Sequence, residues 1–254
     1  MQAATWAPAL YRENELDPLI KPRANGWQPV PQVVARQLQG LITRGEWKAG
    51  QQIPSQRILS EQMEVSRASL REALQMLETL GLIRSEPGRG TFVTFGQETD
   101  RGAELRWRYA DSFSLREVFE TRIMLESQVA ASAALAADGE ALELLVAATD
   151  DMQRGWEAGD LVANVEADLQ FHRTIVVHCG NRMLQALYDN VAGLLTETQR
   201  QPIPRTNTER MRESLGEHRA LVAALRARDP DAARAAMAAH IRNTALHAGV
   251  SLPG

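Results

Sequence analysis

Two sets of residues in this 254-residue chain have types and spacings that could do chemistry. The first is Asp168 and His172, four apart in Asp168-Leu169-Gln170-Phe171-His172, with His218 and His240 farther along. A spacing of four puts two side chains on one helix face. Three imidazoles and a carboxylate gathered in a bundle interior make a borderline-soft donor set, suited to zinc, nickel or another divalent transition metal. On spacing alone a plainer reading stands, since histidines on separate helices are more often partly buried polar groups than ligands. The second set lies in Val65-Ser66-Arg67-Ala68-Ser69-Leu70-Arg71-Glu72-Ala73-Leu74, where two arginines and two hydroxyls share the polar face of a helix whose other face is apolar. An arginine can bind guanine O6 and N7 with two hydrogen bonds, while serines and helix N-terminal amides suit phosphates. The plain alternative is that Arg67 and Arg71 make surface ion pairs, for example with Glu64 or Glu78.

The elements that must hold these residues follow from periodicity and breakers. Residues 1–26 mix Pro8, Pro18, Pro22 and Gly26 with no sustained period and read as a flexible arm. From Val33, the positions Val34, Leu38, Leu41 and Ile42 recur at helical spacing up to a stop at Gly45. Ser55 can cap a second helix carrying Ile58, Leu59 and Met63, and Ser66 a third carrying Leu70, Leu74 and Leu77. After Gly81, two strand-like runs, Leu82 to Glu86 and Thr91 to Thr94, flank Pro87-Gly88-Arg89-Gly90. A hairpin directly after helix, turn, helix is a wing, so residues 27–95 form a winged helix-turn-helix. Residues 96–112 lose apolar periodicity and read as a linker.

Beyond the linker, residues 113–254 carry five or six long helical patterns broken at Asp138-Gly139, Gly159-Asp160, Gly180-Asn181, Pro202 to Pro204 and Asp229-Pro230. Helices and short breaks alone predict an all-α bundle, so the chain as a whole is mainly α. Aromatic residues are only 5% and Ala and Leu dominate this half, which favours helix over sheet. Asn181, after Gly180, reads as a helix cap.

Charge is divided in a way that suits a DNA reader joined to an acidic domain. The net charge is -4, yet residues 27–94 hold eight Lys and Arg against six Asp and Glu, while the remainder after Thr94 holds 17 against 23. The one cysteine, Cys179, excludes an intrachain disulfide framework. No run of about eighteen apolar residues and no signal-peptide core is present, so the expectation is a cytoplasmic protein without a membrane partner.

The order Gly50, Ile53-Pro54-Ser55, Leu59-Ser60, Val65-Ser66-Arg67, Leu70-Arg71-Glu72-Ala73-Leu74, Leu77, Gly81-Leu82-Ile83, Gly88-Arg89-Gly90-Thr91-Phe92-Val93 resembles the winged helix-turn-helix of GntR-type transcription regulators. The resemblance implies that the helix beginning near Ser66 enters the major groove and the wing tip approaches the minor groove. Carried over residue by residue, it implies DNA contacts by Arg57, Ser66, Arg67, Ser69, Arg71, Gly88, Arg89 and Gly90. Gly88 and Gly90 lack the Cβ that would block a close approach. Two departures stand out: Gln56 replaces a usual glutamate, and Glu64 replaces a usual turn glycine, which strains the turn if that position needs positive φ.

From Ser114 to Ala248 the helix order, the Asp-x-x-x-His and the two later histidines resemble the FCD ligand-binding domain of the FadR-type subfamily. That resemblance implies a metal held by Asp168, His172, His218 and His240, with zinc first and nickel or manganese as alternatives. It also implies a small carboxylate or sugar-acid effector. Arg122 matches an arginine that points toward the effector carboxylate, where its fork would make two bonds. An intrahelical pair with Glu126 is the equal alternative. His178 and His247 fall outside the motif.

The resulting expectation is a ligand-responsive regulator, a repressor rather than an enzyme, binding double-stranded operator DNA as a homodimer. A metal-dependent hydrolase or lyase would need a general base or acid beyond the ligands, and no motif supplies one. A regulator sensing the metal itself is the other alternative.

Overall fold

A computed structural model describes residues 30–95 and 109–252. The chain divides into two compact units, one within Met1–Ala103 and one within Glu104–Gly254. The expected arm, residues 1–26, and residues 96–108 of the expected linker lie outside the described residues.

In the first unit α1 (Val30–Thr43) buries Val34, Leu38, Leu41 and Ile42. It ends before Gly45, whose φ of 75° no β-carbon residue adopts easily. Helix α2 (Gln56–Gln62) starts at Ser55, whose hydroxyl accepts the Ile58 amide. Helix α3 (Arg67–Thr79) starts at Ser66, which accepts the Ser69 amide, and buries Leu70, Ala73, Leu74, Met76 and Leu77 against α1, α2 and β1. Between the two helices Glu64 sits at φ 55°, so the turn does need the left-handed region and a glutamate occupies it.

Strands β1 (Ile83–Glu86) and β2 (Gly90–Val93) pair antiparallel, with Ile83 opposite Val93 and Glu86 opposite Gly90. The chain before α2 adds to β2, since the Gly50 and Ile53 amides donate to Val93 and Thr91 and the Val93 amide donates to Gln51. These bonds tie the wing to the entry of the helix-turn-helix.

The second unit is a bundle of α4 (Leu115–Ala136), α5 (Gly139–Glu157), α6 (Leu161–Val177), α7 (Arg182–Arg200), α8 (Thr208–Arg226) and α9 (Pro230–His247), with a 3-10 turn at Ile203–Arg205. Each helix begins at a capping side chain: Ser114, Asp138, Asp160, Asn181, Asn207 and Asp229. Ser114 and Glu117 form a reciprocal capping box, and Pro230 fills the first helical position of α9. Helix α4 packs on α9, α7, α6 and α8, and its small residues Ala130, Ala133 and Ala134 let those neighbours approach. That close packing brings α6, α8 and α9 together around one interior point. Among the described residues no helix is long and apolar enough to cross a membrane.

Candidate functional site

Asp168 and His172 stand one turn apart on α6, His218 projects from the middle of α8, and His240 from α9. One ligand atom from each of the four lies within 4.8 Å of the others. All three imidazoles are buried, at 1%, 1% and 6% exposure in chain order. The His218 and His240 ring centroids are 4.6 Å apart, and the Phe171 ring packs its edge against His218 at 4.5 Å. The structure therefore gathers the whole donor set that the sequence separated over three helices.

Each imidazole is held by its other nitrogen. His172 Nδ1 lies 2.6 Å from Glu126 Oε2, His218 Nδ1 lies 2.7 Å from the Ser214 carbonyl, and His240 Nδ1 lies 2.8 Å from Glu217 Oε2. A carbonyl or carboxylate can only accept, so each Nδ1 carries the proton and donates it. In the neutral ring Nε2 then offers a lone pair. For His218 that lone pair would face Asp168 Oδ1 at 3.1 Å, two acceptors in contact unless a proton or a cation lies between them. His172 Nε2 is buried with no hydrogen-bond partner, and Asp168 Oδ1 lies 3.9 Å away. Three imidazoles anchored through Nδ1 and one carboxylate fit a divalent transition metal in donor chemistry and in outer support.

The electrostatics agree. Burial alone would raise the Asp168 carboxyl, but His218, against it at 3.1 Å, and the neighbouring imidazoles hold it well below the usual carboxylate range. Burial likewise opposes ionisation of Glu126, yet Arg122 and His172 bring it down to about 2. Glu217 also falls to about 2, where burial is outweighed by His240, Arg210 and Asn243. His240 is lowered to about 4, chiefly by burial and then by His218, and so stays neutral and able to ligate near neutral pH.

Of the two sequence readings of Arg122, the intrahelical pair with Glu126 is formed. Its Nε donates to Glu126 Oε1 at 2.7 Å and its Nη1 to Thr198 Oγ1 at 3.1 Å, while its buried Nη2 has no partner. With Asp168, His240, Asn164 and Gln199 it lines a small cavity of about 40 Å³. Sequence reasoning missed the residues that support the centre. Glu126 was visible only as an i,i+4 partner of Arg122; its second bond reaches His172, 46 residues away. Glu217 sits beside His218 in sequence but serves His240, on another helix. Gln199 carried no sequence signal; its Nε2 donates to Asp168 Oδ2 at 3.0 Å.

The residues expected at DNA lie in the first unit. Arg67 and Arg71 are exposed, and neither makes an ion pair among the described residues; Glu78 instead accepts the Ser85 amide at 2.7 Å. Ser66 spends its hydroxyl on the helix cap and on Ser69 Oγ at 2.9 Å. Arg57 pairs with Glu61 at 3.0 Å, and Arg89 pairs with Glu86 while lying over the Phe92 ring. Gly90 stands at φ 115°, a backbone that L side chains rarely adopt, and lies against the Gln52 side chain. Gly88, at φ 72° with open space around it, is needed for the turn alone.

Comparison with known proteins gives two family matches. Residues 31–93 match the bacterial regulatory proteins of the gntR family, and residues 117–243 match the FCD domain. The HTH-type transcriptional regulator LutR of Bacillus subtilis is 30% identical over 213 residues, 80% of this chain and 94% of its own. The HTH-type transcriptional repressor NanR of Escherichia coli is 27% identical over 241 residues, covering 93% of this chain and 89% of NanR. The solved structure of E. coli McbR/YncC, at 21% identity and a TM-score of 0.50, covers 87% of this chain and 97% of that one, which supports the fold.

Proposed function

Because this chain belongs to the GntR family and carries an FCD domain, we propose that it is a repressor whose operator affinity is set by a small carboxylate bound at a metal centre. That it is a DNA-binding transcription regulator rather than an enzyme follows from its relatives; repression is taken from NanR, which is named a repressor.

The observation that carries the effector reading is the meeting of Asp168, His172, His218 and His240 within 4.8 Å beside a cavity that Arg122 also lines. Those four residues would hold a divalent metal, zinc first, and the bound metal would offer a carboxylate an electrophilic partner. Glu126, Glu217 and the Ser214 carbonyl orient the three rings, and the unpartnered Nη2 of Arg122 supplies a donor to the same anion. Helices α4, α6, α8 and α9 thus all carry part of one site, so a ligand that reorders it acts on the bundle as a whole.

On DNA, Arg67 and Arg71 would read base edges from α3, with Ser66 and Ser69 at phosphates and Arg57, Gly88, Arg89 and Gly90 around the helix and wing. Arg57 and Arg89 must exchange Glu61 and Glu86 for phosphate, an exchange that surface ion pairs permit at little cost. Two copies would place their α3 helices about one DNA turn apart, roughly 34 Å, on a pseudo-palindromic operator in the cytoplasm.

The test joins metal content to regulation. Elemental analysis of purified protein should find about one transition metal per chain, and His172→Ala, His218→Ala or His240→Ala should remove it. Unchanged metal in all three variants would end the metal reading. A change in operator affinity driven by metal alone, with no organic acid able to add to it, would make the protein a sensor of the metal itself.

A further inference from the structure

The cavity that Arg122, Asp168 and His240 line is too small for what the site is proposed to receive. It measures about 40 Å³. One water needs about 10–15 Å³ of such space, so the cavity takes roughly three waters, and an organic acid of more than a few heavy atoms requires a wall to give. Most of the wall is made of α4, α5, α6, α7, α8 and α9, whose main-chain bonds and close packing hold them in place. The exception is Pro202, Ile203 and Thr206, in the connection between α7 and α8.

That connection is a strap with an inner and an outer side. Pro202 and Ile203 are buried and line the cavity, while the next two residues, Pro204 and Arg205, are exposed. Its own bonds make it one piece: the Arg205 amide donates to the Pro202 carbonyl at 2.9 Å, the Thr206 amide to the Ile203 carbonyl at 3.0 Å, and the Thr206 hydroxyl to the Pro202 carbonyl at 3.0 Å. Pro202 and Pro204 have no amide hydrogen with which to tie it to its surroundings.

Among the described residues, one side-chain hydrogen bond joins residues 202–206 to another element: Arg205 Nη1 donates to the Ala248 carbonyl at 2.9 Å. Ala248 is the C-cap of α9, so the guanidinium serves one of the carbonyls that a helix end leaves without a partner. The same helix brings His240 and Thr244 to the cavity. A single bond from an exposed side chain therefore fastens the strap to a helix that carries one of the four candidate ligands.

We infer that residues 202–206 are the gate of this site and that the bond from Arg205 to Ala248 is its latch. When the latch lets go, the strap swings outward as a unit, and the cavity widens beside Asp168 and His240, the two members of the donor set that line it. This rests on the metal centre proposed above. A latch sets how often the gate is open, so it changes the rates of entry and exit together and leaves the equilibrium affinity of the closed site as it was.

The test uses the full-length protein and zinc as the probe. Release is followed after excess dipicolinate, a dicarboxylate larger than the cavity, is added to zinc-loaded protein, and uptake by mixing metal-free protein with zinc in the presence of a chromophoric chelator. Arg205→Ala should raise both rates about 3- to 10-fold, the factor expected from one hydrogen bond at a part-exposed site. The equilibrium zinc affinity should stay within about two-fold of the unaltered protein, as a gate requires. Arg205→Lys, which can still donate to the Ala248 carbonyl, should keep the slow rates. Arg228→Ala is the control, because Arg228 Nη1 makes the same kind of bond to the Leu135 carbonyl, at 3.3 Å, and Arg228 does not line the cavity. It should change neither rate. Unchanged rates in Arg205→Ala overturn the gate and leave the metal centre standing. Faster release without faster uptake overturns it too, since Arg205 would then be supporting the site itself, and so does an equal acceleration by Arg228→Ala, which would mean general loosening. Failure of the unaltered protein to bind zinc overturns both the metal centre and its gate.

Discussion

Glu126 is the residue on which the centre turns, because its two oxygens serve two different partners. Oε1 accepts from Arg122 at 2.7 Å and Oε2 holds His172 Nδ1 at 2.6 Å, all of it buried on α4 and α6. A single carboxylate thus links the cation expected to meet an effector to an imidazole expected to meet a metal. Glu126→Gln should lower metal affinity by about 10- to 100-fold, measured by chelator competition, since outer partners orient ligating imidazoles to that extent. Leaving Arg122 without its counter-charge should also cost about 3–5 kcal/mol of stability. Unchanged metal affinity would show that His172 needs no orienting carboxylate. Acid should undo the same cluster in two stages. His240 stands at about 4 against an ordinary 6.5, so the fold favours its neutral form, and that contribution, complete above pH 6.5, is lost as pH falls toward 4. Glu126, at about 2 against 4.5, contributes fully above pH 4.5 and is lost as pH falls toward 2. The unfolding temperature of the metal-free protein should therefore begin to drop below about pH 6.5 and fall faster below about 4.5. A flat profile from pH 7 to 4 would contradict the buried, neutral His240. That Asp168 and His172 share a helix face was legible from their spacing, while the joining of His218 and His240 to them was legible only through the resemblance to the FCD domain. Glu217 and Gln199 were not, since each acts on a residue of another helix and no local spacing records that.

At the scale of elements, capping side chains carry the fold. Asp138, Asp160, Asn181, Asn207 and Asp229 stand at the breaks where the apolar period resets, which is why the six bundle helices could be read before their packing was known. Their mutual arrangement could not, because it depends on which small residues of α4 meet which neighbours. In the first unit Ser66 caps α3 and at the same time binds Ser69. Ser66→Ala should cost about 1 kcal/mol and loosen the start of the helix that carries Arg67 and Arg71, seen as lower thermal stability and faster amide exchange there. Glu64 makes the opposite case. It holds φ 55° in the turn before that helix, a region that costs an L-residue about 1–2 kcal/mol. Glu64→Gly should raise stability by about 1 kcal/mol; a loss would mean that the glutamate side chain contributes more than its backbone costs.

At the scale of the molecule, the -4 charge conceals an uneven division, with the excess of Asp and Glu in the residues after Thr94 and a slight excess of Lys and Arg in the DNA-binding unit. That division suits one unit to approach a polyanion and the other to offer carboxylates and imidazoles that could hold a cation in its interior. Arg67→Ala and Arg71→Ala should each weaken binding to a selected operator by about 1–3 kcal/mol and leave binding to random DNA nearly unchanged; equal loss on both would make them phosphate contacts. The central claim is that the buried metal centre governs the DNA-binding unit. It is tested most directly by titrating metal-loaded protein onto an operator selected from random DNA, with and without a small carboxylic acid that the protein binds, and repeating the titration with His218→Ala. The acid should weaken operator binding by the unaltered protein by about 5- to 150-fold, the range of ordinary allosteric coupling, and should have no effect on the variant, which still binds the operator. Operator affinity that ignores the acid in the unaltered protein, or responds equally in both, would contradict it.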